Sequence, residues 1–396
     1  MVVSNHYGHG YIQRPYAYGR AEFVHRTYYV NGVAYARIYR PYTYRNIALN
    51  VYVPRVYYPA GFYGWAYNPW VAPVVYPWGW VGNPWYAYYG PYFAPYPSYA
   101  NASLWLTDYL VAQTLQAAYQ ERAAELANAA PANFTPMTPE VKQAISDEVR
   151  RQVALENSES AAGPQTPPDP GSSGIARMFA DNSQHVFVVD QALDVESAAG
   201  ECPITQGDVL QLSPGAPPTQ TYANLVVLAS KGQDCRQGEN VSVGMADLQD
   251  MQNHMRETID QGLGELQKNQ GRSGLPLIPA AAAAPPVETA YAAIAPPPDP
   301  NVAGELKQQS TEADQAEQEA LNETESGSPG GAPAPASAAA LQPAPAPKEL
   351  SLGLTLDQVA AIQGQPKEKV DLGAKKIYVY DYLKITFTNG KVTDIK

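Results

Sequence analysis

A chain of 396 residues with a formal net charge of −12 is long enough for two or three domains, since single cores rarely grow past about 250 residues. The charge is split: residues 1–100 hold seven Arg against Glu22, and the remainder carries 19 bases against 37 acids. The acidic bulk argues against a nucleic-acid binder, which needs a concentrated basic face. The basic front suits an anionic envelope surface, or is a solubilising scatter of Arg in a disordered arm.

Residues 1–100 concentrate the aromatics: Trp65, Trp70, Trp78, Trp80 and Trp85 are five of the six Trp, and 22 of the 29 Tyr lie there. They read as a Tyr/Trp/Pro-rich arm with a β-hairpin over 23–40. Phe23 to Val30 and Val33 to Arg40 are rich in Tyr, Val and Thr, and Asn31-Gly32 supplies the positive-φ pair of a type I′ turn. No side chain between Arg55 and Asp108 is charged, and eight Pro interrupt residues 56–107, so no spanning helix fits there. Irregular backbone with stacked rings is expected from Tyr57 to Tyr99. The five Trp are candidate membrane- or sugar-facing rings, since Trp and Tyr favour the membrane–water boundary and also form platforms for sugars or partners. The third alternative is a self-stacked disordered segment. His6, His9 and His25, with no carboxylate beside them, make a poor metal set.

Two helices are expected over 101–157. Val111, Leu115, Tyr119, Ala123 and Leu126 recur at three- and four-residue spacing in the first. The second opens at Thr138-Pro139-Glu140 and carries a narrow stripe, Val141, Ile145, Val149 and Val153, suited to sealing a neighbouring element. Residues 158–174, with four Pro, read as a linker. A β module fills 175–270, with strands Val186–Asp190, Asp208–Leu212, Asn224–Ser230 and Asn240–Val243. A helix closes it, with Leu248, Met251, Met255, Ile259, Leu263 and Leu266 on one face. Cys202 and Cys235 are too far apart for a CxxC motif and have no second pair for zinc. A disulfide between them is expected; it would stabilise the module by roughly 3–4 kcal/mol and imply an oxidising compartment. The alternative is two unrelated buried thiols.

Residues 271–348 are dominated by Ala, Pro, Gly and acids and read as a low-complexity tether. In 349–396, Thr355 and Gln358 form a capping box that opens a short helix, which ends at Gly364 before Pro366. Three strands follow, Ile377 to Tyr380, Leu383 to Thr388 and Lys391 to Ile395, the last two joined by Asn389-Gly390. If Ile377 and Val379 face the helix, Tyr378 and Tyr380 point outward; with Tyr382 they are candidate protein-binding residues.

The segments Leu352-Gly353-Leu354-Thr355, Gln358-Val359, Gly364-Gln365-Pro366, Tyr378-Val379-Tyr380 and Phe387-x-Asn389-Gly390-Lys391-Val392 resemble the SmpA/OmlA domain. That outer-membrane lipoprotein family helps assemble β-barrel proteins, and the resemblance implies a protein-docking face over about one-eighth of the chain. The family is tethered by a lipidated cysteine behind a signal peptide; here Ala199-Gly200-Glu201-Cys202 is internal and lacks an apolar run before it. The order Val188-Val189-Asp190, Gly207-Asp208-Val209-Leu210, Asn224–Ser230 resembles the SH3-like barrel family over about 60 residues. With Tyr222 beside Phe187 as its aromatics, the module has no proline-peptide groove to carry over.

The expected fold class is multidomain α+β with long disordered linkers. The expected function is that of a non-enzymatic bacterial cell-envelope adaptor or assembly-type interaction protein at the outer membrane or periplasm. Envelope proteins are the expected partners, with a membrane surface or polysaccharide as further candidates and no nucleic acid. The alternative is a structural surface or matrix protein that self-associates through its Tyr-rich arm. No G-x-S-x-G, HExxH, P-loop or Rossmann fingerprint occurs, and no catalytic residue, metal or cofactor is expected. Met1-Val2-Val3-Ser4 lacks a basic-then-apolar pattern, so the extracytoplasmic expectation assumes a signal peptide upstream of Met1.

Overall fold

The computed structural model describes residues 2–4, 10–30, 32–126, 134–181, 183–213, 221–232, 235–309, 311, 350, 354–364, 366, 368–372, 375–380, 383–388 and 390–395. The chain is mixed α+β with several antiparallel sheets. Its first part comprises β1 (Val2–Ser4), β2 (Gly10–Tyr18), β3 (Ala21–Val30), β4 (Val33–Tyr44), β5 (Ile47–Val53), β6 (Val56–Tyr57), α1 (Ala60–Tyr67), β7 (Pro69–Val74), α2 (Pro84–Tyr89) and β8 (Tyr99–Asn101). Next come α3 (Ala102–Glu121), α4 (Ala123–Leu126), α5 (Pro139–Ala161), α6 (Pro170–Ser173), α7 (Ile175–Ala180) and the strands β9 (Val186–Val188), β10 (Leu193–Ser197), β11 (Gly200–Ile204), β12 (Val209–Leu212), β13 (Tyr222–Ala229) and β14 (Asn240–Gly244). The last part holds α8 (Met245–Asn269), β15 (Val287–Glu288), α9 (Ala290–Ala293), α10 (302–309), α11 (Leu356–Gln363), β16 (Glu368–Leu372), β17 (Lys375–Val379), β18 (Lys384–Thr388) and β19 (Lys391–Ile395). Two compact units result, a larger one of Pro15–His25 and Arg37–Pro296 and a smaller one of Met1–Arg14, Arg26–Ala36 and Pro297–Lys396.

In the larger unit an antiparallel sheet runs β11-β10-β14-β13-β12-β9. Four of its strands match the expected ones; β10 and β11 are additional, a hairpin between β9 and β12 in the chain. The two-residue period of β9 gives it two buried faces. Val186 and Val188 enter the core made by the aromatic segment, α3 and α5, whereas Phe187 and Val189 enter the core of the sheet itself. α8 joins the same two cores along its length. Met245, Leu248 and Met251 lie in the sheet core, and Met255, Ile259, Leu263 and Leu266 in the aromatic one. Thr138 caps α5 as its sequence predicts, accepting from Val141 N, and its apolar stripe is buried against α3 and α1.

Three stretches pack more than composition suggests. The arm from Arg55 to Asp108 is a core, not an arm: Tyr58, Phe62, Tyr63, Trp70, Tyr92 and Phe93 are all buried in it. The 158–174 linker begins inside α5 and is fastened by Arg40, whose Nη1 donates to Pro168 O at 2.6 Å. The expected 271–348 tether is described as far as residue 309 and at 311, and over 271–296 three of its large side chains are anchors, while Leu277, Val287 and Ile294 are exposed. Leu275 and Ile278 join the aromatic core, and Tyr291 stacks on Phe23 with ring centroids 5.2 Å apart. Proline-rich backbone has little conformational freedom to lose, so widely spaced anchors suffice to hold it.

In the smaller unit, β19-β18-β17-β16-β1-β2 are neighbours; β1 pairs β16 in parallel and the other described pairs are antiparallel. The expected three-stranded sheet therefore gains β16. The Thr355–Gln358 capping box is present, with Thr355 N donating to Gln358 Oε1 at 2.9 Å, and Gly364 closes α11 at φ 76°. Val302 and Leu306 of α10 are buried with Ile12, and Arg14 pairs with Asp299. Gly32 and Gly390 take the positive φ expected of their turns, while Asn31 and Asn389 lie outside the described residues.

Gly262 on α8 lets α3 approach closely: an added Cβ would lie 2.5 Å from Leu106 Cδ2 and 3.0 Å from Tyr109 Cδ1. At an open helical site Gly→Ala stabilises by about 1 kcal/mol. Here Gly262→Ala should instead destabilise by about 1–3 kcal/mol, as overpacking does; a chemical-denaturation midpoint that rises would contradict the packing.

Candidate functional site

The uncharged aromatic segment closes on one buried carboxylate. Asn101 caps α3, accepting from Leu104 N, and places Asp108 two turns in, facing the rings. Asp108 Oδ2 accepts from Tyr96 N at 2.5 Å and from Tyr99 OH at 2.8 Å, and its Oδ1 lies 2.7 Å from Lys142 Nζ of α5. Lys142 also donates to Ala94 O and lies 3.7 Å from the Tyr96 ring centroid. Burial pushes the Asp108 carboxyl up and the Lys142 ammonium down, each towards neutrality and against the attraction between them.

Around this pair the Trp side chains stack on one another. Trp70, Trp80 and Trp85 are buried, Trp65 and Trp78 half-buried, and Trp78 lies 3.9 Å from Trp80 and 4.9 Å from Trp105 between ring centroids. The rings expected to face membrane or sugar are packed into or against the core with Tyr58, Phe62, Tyr63, Tyr92 and Phe93 of the same segment. The surface falls to the residues between them: Val71, Val75 and Val81 are exposed, as is Leu277.

A second buried ion pair occupies the Gly207-Asp208 turn. Asp208 Oδ1 accepts from Lys231 Nζ at 2.7 Å and from Lys231 N at 2.9 Å, and Tyr92 OH donates to Gly207 O at 2.9 Å. Gly207 is required twice over, by φ +87° and by Leu115 Cδ2 at 2.6 Å from where a Cβ would lie.

α5 and α8 carry buried charge that reads in sequence as a solvated face. Arg256 is fully buried, and its Nη2 donates to Glu159 Oε2 at 2.8 Å. Asn253 accepts from Tyr52 N and donates to Asn50 O, fixing β5 on α8. Beside them Glu156 adjoins Asp260, which also accepts from Tyr52 OH at 2.6 Å. Burial, and then the Asp260 charge, hold the Glu156 carboxyl well above the usual range. Gln249, Gln252, Asn253 and Arg256 form a buried polar stripe beside the apolar face of α8.

His185 is clamped between acids, with Nδ1 2.9 Å from Glu148 Oε2 and Nε2 2.8 Å from Asp181 Oδ1. Burial opposes charge on Glu148, but His185 and Arg151 outweigh it and hold that carboxyl below the usual range. A cavity of about 300 Å³ beside the clamp is lined by Asp147, Arg151, Ser183, Gln184 and Gln211. Both His185 nitrogens and the Arg151 guanidinium are already committed to carboxylates, so this arrangement orients α5 against the β9 approach.

Cys202 and Cys235 form the expected disulfide, with Cα atoms 5.4 Å apart, tying β11 to the β13–β14 connection. Tyr378 and Tyr380 do not point outward. They pack with Val359, Ile385 and Phe387 against α11, and Tyr378 meets the Phe387 ring at 5.0 Å, whereas Ile377 is buried outside that cluster. The cross-strand partner of Tyr378 is Ile385, which fixes that face as the helix face. Tyr382, His6 and His9 lie outside the described residues; His25 is buried. Among the described residues no group of three His, Cys, Asp or Glu could hold a metal ion, and no helix is long and apolar enough to cross a membrane.

No known family model, curated protein or solved structure matches this chain.

Lys142→Met should destabilise the larger unit by about 3–5 kcal/mol, because it strands Asp108 in the aromatic core. Adding Asp108→Asn should return part of that loss in urea unfolding; strictly additive losses would contradict the pairing. Glu156 sets a pH dependence. The unfolded carboxyl releases its proton near the ordinary Glu value of 4.5 while the folded one holds it, so stability falls as pH rises above 4.5. Glu156→Gln should abolish that fall, its advantage over wild type growing between pH 5 and 7 by at most about 1.4 kcal/mol per pH unit. A pH-independent difference in melting would contradict a retained proton.

Proposed function

We propose that this protein is a non-enzymatic adaptor of the cell envelope, working outside the cytoplasm and docking through a rigid apolar face. The observation that carries this reading is the exposure of Val71, Val75, Val81 and Leu277 on an immobilised aromatic core. Scattered exposed apolar residues need no explanation, but several on a segment with no charge from 56 to 107 mark a contact surface. The disulfide supports an oxidising compartment, here the periplasm or the outer membrane. The Lys142–Asp108 and Arg256–Glu159 pairs are buried within the packed core, which supports a structural use of these charges.

The family resemblances fit the same reading. A capped helix followed by antiparallel strands supports the SmpA/OmlA-like end, and the β9-β12-β13-β14 neighbour order supports the SH3-like module. The matrix-protein alternative has less support, because the tyrosines of 56–100 are largely spent on stacking within the core.

Cell fractionation with thiol trapping tests the proposal. The chain should appear in the envelope fraction, be released by detergent, and react with alkylating reagent only after reduction. A cytosolic protein with two free thiols would contradict it, and a detergent-resistant one would favour the matrix alternative.

A further inference from the structure

Three tyrosines of the smaller unit stand in line across three strands. β2 ends at Tyr18 and β3 begins at Ala21, so the two-residue loop between them sets Tyr11 opposite Tyr28. β3 ends at Val30 and β4 begins at Val33, which sets Tyr28 opposite Tyr35 in the same way. The rings follow this register. The Tyr28 centroid lies 5.3 Å from that of Tyr11 and 5.3 Å from that of Tyr35. All three are half-buried, whereas Tyr29 and Ala34 on the opposite face pack with Ile12, Val302 and Leu306.

One of these contacts suits covalent coupling. Tyr28 and Tyr35 lie 15° from parallel, while Tyr11 meets Tyr28 at 56°. Arg26 lies 4.2 Å over the Tyr11 ring, and its charge opposes removal of an electron from that ring. Other close tyrosine pairs are less suited. Tyr39–Tyr52, Tyr58–Tyr63 and Tyr96–Tyr99 meet at 70°, 86° and 80°, and the first two pairs are sealed in the core. Tyr42 and Tyr44 are near parallel at 20°, but 6.4 Å apart and on one strand.

We propose that Tyr28 and Tyr35 are an oxidative modification site, joined by hydrogen peroxide and a haem peroxidase into a dityrosine that staples β3 to β4. Each phenol gives up one electron and its proton; peroxide accepts the two electrons and two protons and leaves as two waters. The two phenoxyl radicals bond through ring carbons ortho to oxygen. The hydrogens on those carbons then move to the oxygens and restore both phenols. Rings that face each other at one ladder position reach this bond by side-chain rotation, without a backbone shift. The site belongs to the smaller unit and does not depend on the adaptor reading.

Peroxide and a haem peroxidase, applied to dilute full-length protein before tryptic digestion, test it. Cleavage after Arg26 and Arg37 keeps both rings in one peptide, residues 27–37. That peptide should be lighter by two hydrogens and show dityrosine fluorescence. Tyr28→Phe and Tyr35→Phe should each abolish the product, while Tyr11→Phe and Tyr29→Phe leave it. Phenylalanine keeps the ring, and an unchanged melting temperature for each variant shows that the sheet is intact. Unfolding in urea before oxidation should remove the preference for this pair. No cross-link within 27–37, a cross-link that survives loss of either tyrosine, or the same products from folded and unfolded chains would overturn the proposal.

Discussion

A segment of some fifty residues without a charge can be packed only if its irregular backbone finds polar partners inside, and Asp108 provides them. From the second turn of α3 it takes the Tyr96 amide and the Tyr99 hydroxyl, while Lys142 balances its charge and takes the Ala94 carbonyl. Both partners are buried at a desolvation penalty, and both are pushed towards neutrality. The pair also satisfies the Tyr96 amide, the Tyr99 hydroxyl and the Ala94 carbonyl, which would otherwise be orphaned. The Trp and Tyr rings then fill the space around it.

Two elements make the aromatic core and the sheet core one structure. β9 presents alternate side chains to each, and α8 passes from one to the other along its length. Neither can shift without disturbing both. The polar stripe of α8 fastens this junction through Asn253 and Arg256, so the helix is anchored on its hydrophilic side as firmly as on its apolar one. The disulfide acts at the far edge, where β11 has β10 as its one neighbour in the sheet and depends on a covalent tie.

Local signals were legible and tertiary ones were not. Thr138, Thr355 and Gly364 fixed helix ends because caps act within one turn. The apolar stripes of α5 and α8 showed their buried faces because period follows from helix geometry. β10 and β11 escaped because their alternation is short and poor in large apolar residues: Asp194 and Glu196 flank Val195, and Glu201 and Pro203 alternate with Cys202 and Ile204. The Trp residues were misread for a different reason. Pro and aromatic density does predict irregular backbone, but says nothing about whether that backbone is covered. For Tyr378 and Tyr380 the alternation was right and the choice of face was inverted, since Ile377 and Tyr378 are both able to pack on a helix. Buried Glu148, Glu156 and Arg256 carry no local mark that separates them from solvated charge.

The central claim is that residues 56–100 are core. Amide hydrogen exchange on the intact chain measures this directly, because protection reports the free energy of opening each segment. Peptides from 56–100 should exchange as slowly as those from α3 and α5, and should lose protection together with them when Lys142 is replaced by Met. Exchange of 56–100 at the rate of an unfolded chain, while α3, α5 and α8 stay protected, would contradict the account.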